Sequence, residues 1–587
     1  MLLILGSWLL LALVTTTLGW SAWRALADNR PAVLPLPLEV LSLAGVALLL
    51  VGLAPVSLVL PLGSGAVRGG LALLVTALLL GQRRALAAEL RRWWAAPHPV
   101  AWWAGAGLLG LLLLALLLYQ QGRSHNYDEQ LYYLQTLHWL ERFAVVPGLG
   151  NLHGRLAFNS HLFLGTAVFA IPTPTGTYYP LPTYLSVLLA AAAARGVARG
   201  IHADKAARTV SAGAALLLFG TYFYVFRSHL PSPAPDCALI IFLSFIFLLY
   251  SGFLGPYEVR GAAGRPRLLL LTLLSYVAVT IKLSALPILL LPLHGWWVAH
   301  RAAHVPTASG PANRVWPTLL GLGVVVFLPW LIRNLVLSGY PVYPLPGLPG
   351  LPVDWRMPPE LVLIEQRLVT NIARDVLPAA RYGPVETSWQ QWLPRWWQYE
   401  AHNSPITTVL LVLAAVAPLV ALWQAWRSAG LRKLSLSQPG WLSSWLVALA
   451  GGLFWFTLAP DYRFGAGFLL VLAFWPWLPL PLPRWLGTLM LTAVVVGTLQ
   501  LMRDPVYGLR HPRPGAVAGL LWPTLPPLLP SRPVRLPGGQ VVRVAVGELG
   551  PCGETPLPCT HAIVPGLEFR GNSLAEGFRV RPPAAQR

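Results

Sequence analysis

The sequence predicts an all-α polytopic membrane protein. Three observations carry that prediction: the share of apolar residues, the shortage of charge, and the length of the apolar runs. Hydrophobic residues are 56% of the 587 and charged residues 11%, with a mean hydropathy of +0.60. Soluble domains carry about 25% charged residues, and no soluble core absorbs this excess. Fourteen apolar runs reach spanning length, near 1–23, 38–60, 65–82, 100–119, 180–198, 208–227, 237–255, 267–281, 284–299, 315–337, 405–426, 440–458, 464–482 and 484–502. The expectation is a bundle of about 12–14 transmembrane helices. The least regular runs lie around Lys282 and at the end of the series, where "KLSALPILLLPLH" and "WPWLPLPLPRW" are broken by proline.

The opening "MLLILGSWLLLALVTTTLGW" lacks the basic n-region of a signal peptide, and no small-x-small site follows closely. It reads as a retained first span. The 56 prolines and 53 glycines suit broken helices and interfacial loops. A net charge of +21 would suggest nucleic acid in a soluble protein. In a membrane protein basic loops set topology instead, so no nucleic-acid partner is expected.

The basic residues sort the loops. "QRRALAAELRRWW" holds Arg83, Arg84, Arg91 and Arg92, and the next loop on that side holds Arg195, Arg199, Lys205 and Arg208. "EVRGAAGRPR" and "RSAGLRK" follow. The positive-inside rule makes this set cytoplasmic and puts the N-terminus and the C-terminal tail outside. Loop 120–179, "RSHLPSPAPD", the turn at Lys282, loop 338–403 and "APDYRFG" then all fall on the outer face. The chain divides into extra N-terminal helices with a basic cytoplasmic loop (1–99), a transmembrane module (100–502) and an extracytoplasmic tail (503–587).

Three cysteines add a little. Cys237 lies in a span and reads as a small apolar filler. Cys552 and Cys559 lie in the outer tail, where an oxidising compartment permits a disulfide. Closing so short a loop stabilises by roughly 2–3 kcal/mol in the chain-entropy model. Trp389, Trp392, Trp396 and Trp397 precede a span and suggest an aromatic belt.

Acids are scarce, so "SHNYDEQLYYLQTLHW" stands out: Asp128 and Glu129 adjoin just past a long apolar run. Asn126 can cap a helix there, with both acids in its first turn against the positive end of the dipole. Glu129 holds the position that completes a capping box. Leu131, Leu134, Leu137 and Leu140 form an apolar side against polar Gln135, His138 and Arg142, which suggests a helix lying in the interface. A carboxylate at its start would sit at headgroup height, facing water.

A span, an outer loop opening with an acidic residue and then an interfacial helix resembles the GT-C glycosyltransferase superfamily. "SPAPDCALI" with Asp236, "TIKLSALP" with Lys282, "PWLIRNLVLSGYPVYP" with Arg333 and Asn334, and "APDYRFGAGFLL" with Asp461 and Arg463 are similar to stretches of such proteins. The resemblance covers roughly residues 100–500 and implies a GT-C-like helical bundle with outer-face interfacial helices. It implies transfer of a sugar from a polyprenyl-phosphate donor to a glycan, lipid or protein acceptor. The whole layout is similar to that of large bacterial multi-pass membrane proteins, which makes a bacterial inner membrane the expected address. Asp128 matches the first-loop acidic residue that serves the family as catalytic base or acceptor-binding group, with Glu129 as alternate. His153, Arg155, Asp236, Lys282, Arg333, Asp461 and Arg463 are then candidate substrate-binding groups, the cations offsetting charge on the leaving phosphate.

The spacing of His153 and His161 matches no zinc motif. No residue pattern calls for a cofactor, and the resemblance leaves room for Mg²⁺ or Mn²⁺. Three spans stand ahead of the one that leads into the acidic loop, where the family often has a single span before it. A transporter or flippase, a ligase of lipid-linked glycans and a non-catalytic envelope scaffold stay open as alternatives. No phosphate-binding loop, Rossmann fingerprint, HExxH or GxSxG occurs, which argues against an ATP-driven pump and a serine hydrolase.

Overall fold

The computed structural model describes residues 1–26, 36–95, 99–121, 124, 126–174, 176–201, 207–252, 264–303, 315–374, 381–403, 405–427, 440–477, 484–503, 505–506, 528–547 and 550–581. Helix forms in all fourteen apolar runs. In chain order the helices are α1 (Leu2–Leu26), α2 (Leu38–Val59), α3 (Gly65–Ala95), α4 (Val100–Gln120), α5 (Leu134–Arg142), α6 (Leu149–Leu152), α7 (His161–Val168), α8 (Leu181–Ile201), α9 (Ala207–Phe226) and α10 (Pro235–Tyr250). Then come α11 (Gly264–Ile281), α12 (Leu290–Ala303), α13 (Val315–Ser338), α14 (Pro359–Ala373), α15 (Trp389–Asn403), α16 (Pro405–Arg427), α17 (Trp441–Leu458), α18 (Tyr462–Phe474) and α19 (Arg484–Leu501). Among the described residues nine helices are long and apolar enough to cross a membrane, and three shorter apolar helices accompany them. The basic loops within 202–206, 253–263 and 428–439, on which the sidedness expectation leans, lie outside the described residues.

Where lipid replaces water, helices gain little from hydrophobic burial against each other and pack instead through small residues and hydroxyls. The crossing of α1 and α2 shows this. A Cβ on Gly19 would overlap the carbonyl of Leu41, and one on Gly45 would overlap that of Thr15. At the same crossing Thr15 Oγ1 and Ser42 Oγ lie 2.7 Å apart, and Ser42 Oγ meets Tyr184 Oη of α8 at 2.7 Å. The first turn of α2 also buries Glu39, whose two carboxylate oxygens receive Arg195 of α8 at 2.7 and 2.9 Å. The start of α2 and the end of α8 therefore share one face of the bundle.

The proline-broken run at Lys282 behaves as its sequence implies. α11 stops at Ile281, Lys282 is extended, and a 3-10 stretch (Leu283–Leu289) containing Pro287 leads into α12.

The helix carrying the two acids departs from expectation. It starts as predicted, with Asn126 Oδ1 accepting the N–H of Asp128 at 3.1 Å. The capping box does not form: the N–H of Asn126 goes to Ser124 Oγ at 3.0 Å, and Glu129 turns inward. A π turn (Glu129–Tyr133) then precedes α5. The polar side of α5 is not at a water surface either. Gln135 and His138 are both buried, because the C-terminal tail covers them.

A short hairpin joins β1 (Ile171–Thr173) and β2 (Gly176–Tyr178) ahead of α8, and the tail is also β structure. The alternation in "VVRVA" gives β4 (Val541–Ala545), with Val542 and Val544 buried. It pairs antiparallel with β3 (Ser531–Arg535) and parallel with β5 (Cys559–Thr560). A separate hairpin joins β6 (Leu567–Phe569) and β7 (Phe578–Val580). Cys552 and Cys559 are bridged. Gly577, at φ +87°, lets the chain lie against Pro147 where a Cβ would overlap the Pro147 carbonyl. Phe578 is fully buried beside it and packs edge-on to Trp139 at 5.9 Å. The tryptophan group splits: Trp392 and Trp396 are buried in the fold, and Trp389 and Trp397 are exposed.

Candidate functional site

Charged groups gather where several helix ends meet. Asp128 lies in the first turn of its helix, after α4. Arg155 sits on a 3-10 turn (Gly154–Ala157), Asp236 in the first turn of α10, Lys282 just past α11, and Asp461 at the N-cap of α18. Each side chain is fixed by its neighbours. One carboxylate oxygen of Asp128 receives Arg155 Nη1 at 3.1 Å, and the other lies 3.5 Å from Arg463 Nη1. Asp461 accepts the backbone N–H of Arg463 at 3.0 Å as a helix cap and also holds its guanidinium, with Nη2 at 2.8 Å. Lys282 bonds Asp236, and its ammonium stands 3.5 Å above the ring of Phe464. Asp236 and Lys282 lie near enough to act electrostatically on Arg463 and Asp461.

Seven candidate residues were proposed as substrate-binding. Arg155, Asp236, Lys282, Asp461 and Arg463 converge around Asp128. Two do not. Arg333 reaches Asn159 Oδ1 and Ser57 Oγ instead, at 3.0 and 2.7 Å. His153 turns toward the tail, with its ring 4.4 Å from that of His561. Its Nδ1 accepts the N–H of Arg155 at 3.1 Å, so it supports the Arg155 turn. Burial is the main force holding His153 well below the usual histidine range, with the charge of Arg155 contributing.

The alternate acid, Glu129, is a different kind of group. It is buried, it bonds Ser124 and Ser232, and its Oε2 has no protein partner. Burial pushes its carboxyl up to about 7, against the lowering effect of those serines. Asp128, by contrast, leaves 17% of its side chain exposed, Lys282 25% and Arg463 21%. A ligand can therefore touch Asp128 and two of the cations without unpacking the fold.

One acid was missed. Glu365 of α14 lies 3.9 Å from Arg155 and packs against Gly154, where any side chain would overlap it. Burial raises its carboxyl, partly offset by Arg155. The signal was available: "PELVLIEQRLV" places an acid in the middle of an amphipathic stretch within the same outer loop. His138 and Glu554, 3.1 Å apart, were also missed as a pair; no local pattern connects residues so distant in sequence.

The donor set does not fit a divalent cation. Asp128, Asp236 and Asp461 are each bonded to an arginine or lysine, and Glu365 stands near Arg155. Among the described residues no three His, Cys, Asp or Glu side chains are grouped to hold a metal. What the cluster can do is bind an anion at its accessible cations beside a carboxylate able to take a proton.

The family described as "Domain of unknown function (DUF8201)" matches residues 1–470. The chain belongs to this family. The matched stretch contains every member of the charged cluster and stops short of the tail. No curated protein and no solved structure matches the chain.

Proposed function

We propose that the chain is a membrane glycosyltransferase of GT-C type. It takes a sugar from a polyprenyl-phosphate donor and passes it to an acceptor at the outer face of a bacterial inner membrane. The observation that supports this best is Asp128, partly exposed and held between Arg155 and Arg463 where the ends of separate helices meet.

In this reading the acceptor hydroxyl loses its proton to Asp128 as its oxygen bonds the anomeric carbon. The bond from that carbon to the donor phosphate oxygen breaks, and the electron pair leaves with the phosphate. Arg463 and Lys282 are the accessible cations that offset the departing charge. A guanidinium carries five N–H donors, so Arg463 can keep Asp461 and Asp128 while it binds a phosphate oxygen. Arg155 and Glu365 orient Asp128 from behind. The buried Glu129 serves the helix rather than the substrate. A polyprenyl-phosphate donor arrives through the bilayer and brings no nucleotide to the site.

The test is mass spectrometry of envelope glycans and lipid-linked sugars in a deletion strain, complemented with wild type or with Asp128→Asn at equal abundance. A missing glycan restored by wild type alone, with the unused donor lipid accumulating, supports the reading and identifies the sugar. Restoration by both proteins would move the proposal to transport or scaffolding. No change in any glycan would remove it.

A further inference from the structure

Arg333 is the one predicted site cation that the fold takes elsewhere, and its surroundings are unusual. It lies near the end of α13 and is 4% exposed. Its bonds go to Asn159 Oδ1 and Ser57 Oγ, both neutral, and among the described residues no carboxylate pairs with it. Glu141, in the last turn of α5, is held by Tyr179 at 2.8 Å. Buried charges in proteins are ordinarily paired, because an isolated ion out of water is strongly unfavourable. A buried carboxyl or lysine escapes by changing protonation, whereas arginine keeps its proton. Among the described residues nothing offsets the charge of Arg333.

A cavity shows where. Arg333, Trp139 and Ser160 line the same narrow space, with Val146, Phe158 and Leu337 among its apolar walls. The indole N–H of Trp139 and the hydroxyl of Ser160 have no protein partner, although those residues are only 3% and 8% exposed. Orphaned buried donors of this kind are uncommon. Asn159 Oδ1, the obvious acceptor on the wall, is already taken by Arg333. His161 adjoins the group; burial, helped by Arg333, pushes its imidazole down to about 3, so it is neutral. Arg333, Trp139 Nε1 and Ser160 Oγ thus give the cavity donors and a positive charge. Its room suits a monatomic ion or a water-sized group rather than a phosphate ester.

We infer that this cavity is a binding site for a halide-sized monovalent anion, held by Arg333, Ser160 Oγ and Trp139 Nε1. The three residues belong to α13, the segment before α7, and α5, so the anion ties the bundle to the helix that bears Asp128. The inference does not depend on the proposed reaction.

The test uses the full-length protein in detergent. Thermal unfolding is followed as sodium chloride replaces sodium gluconate at constant ionic strength, with bromide as a second halide. The expected result is a saturable rise in Tm of ~2 °C or more in either halide. Ser160→Ala should shift the midpoint to higher halide, and Arg333→Gln should lose the dependence. Equal Tm in halide and gluconate overturns the inference, as does a halide effect that Arg333→Gln retains. If Arg333→Gln fails to fold, a bromide-soaked crystal of the wild type decides: an anomalous peak beside Arg333 supports the site, and its absence, with water alone filling the space, overturns it.

Discussion

His138 of the site-bearing helix lies 3.1 Å from Glu554 of the C-terminal tail, and both side chains are more than nine-tenths buried. The contact is one of several along the same seam. Gln135 donates to the carbonyls of Gly553 and Thr555 at 3.0 and 2.7 Å, and the N–H of Gly553 returns to the Gln130 carbonyl at 2.7 Å. Glu554 itself sits within the loop that Cys552 and Cys559 close. The tail therefore forms one wall of the helix that begins with Asp128.

Opening that loop should weaken the wall. Chain-entropy arguments give about 2.5 kcal/mol for a bridge between residues 7 apart. Cys552→Ser/Cys559→Ser should lower Tm, and reductant should do the same to wild type while leaving the double variant unchanged. Limited proteolysis should then release the tail. A wild type whose Tm ignores reductant would mean that the seam holds without the bridge.

Glu129 gives the molecule a pH-dependent term. Its carboxyl is raised from 4.5 to about 7 in the folded state. The folded chain thus holds this proton more tightly than the unfolded chain. Stability from this group is full below pH 4.5 and falls as pH rises to about 7, by roughly 3 kcal/mol at most. Glu129→Gln keeps a neutral group throughout, so its stability relative to wild type should increase across that window and level off above it. Chemical denaturation of both proteins from pH 4.5 to 8 measures the difference. Parallel curves would show that Glu129 titrates normally.

The convergence of Asp128, Asp236, Lys282, Asp461 and Arg463 was legible because charge is rare in this chain. Placed at the ends of apolar runs, charged residues have few places to go except toward one another or toward water. Helix positions were legible for the same reason: apolar length is written locally. The burial of Gln135 and His138 was not, since α5 is amphipathic by sequence whether water or protein meets its polar side. What meets it is a tail some four hundred residues downstream. Arg333 misled for a related reason. Its position at a span end resembles that of the other cations, and only the path of loop 153–161, which brings Asn159, and the packing of α2, which brings Ser57, show that these two reach it first. Glu365 was readable as an acid on an amphipathic stretch, but its partner Arg155 lies in another loop.

Asp128→Asn tests chemistry separately from folding. The amide keeps the shape but offers a single oxygen, so it accepts from Arg155 or from Arg463 and turns an N–H toward the other; Glu365 still stands near Arg155 and Asp461 still holds Arg463, so the variant should fold with a lowered Tm. Loss of a general base typically lowers rate by about 10²–10⁴. Sugar transfer by the purified variant should fall by that factor, while Glu129→Gln should retain most activity. The reverse ranking would assign the proton transfer to Glu129.

The last prediction concerns Asp236 and Lys282. Asp236 is buried, with its side chain 5% exposed, and Lys282 is its bonded partner, 25% exposed. Asp236→Asn leaves the ammonium with the Phe464 face and the distant field of Asp461. Removing one member of a buried pair costs 3–5 kcal/mol, and the partial exposure of Lys282 reduces this to roughly 2 kcal/mol. Lys282→Met should be destabilising too, because it strands a carboxylate that is almost fully buried. The double variant Asp236→Asn/Lys282→Met removes both charges and should recover much of the loss, a coupling visible in a double-mutant cycle of Tm or denaturant midpoints. Activity should not recover with stability if Lys282 also faces the leaving phosphate. A double variant that regains both would make the pair a packing device, and would leave Arg463 as the accessible cation beside Asp128.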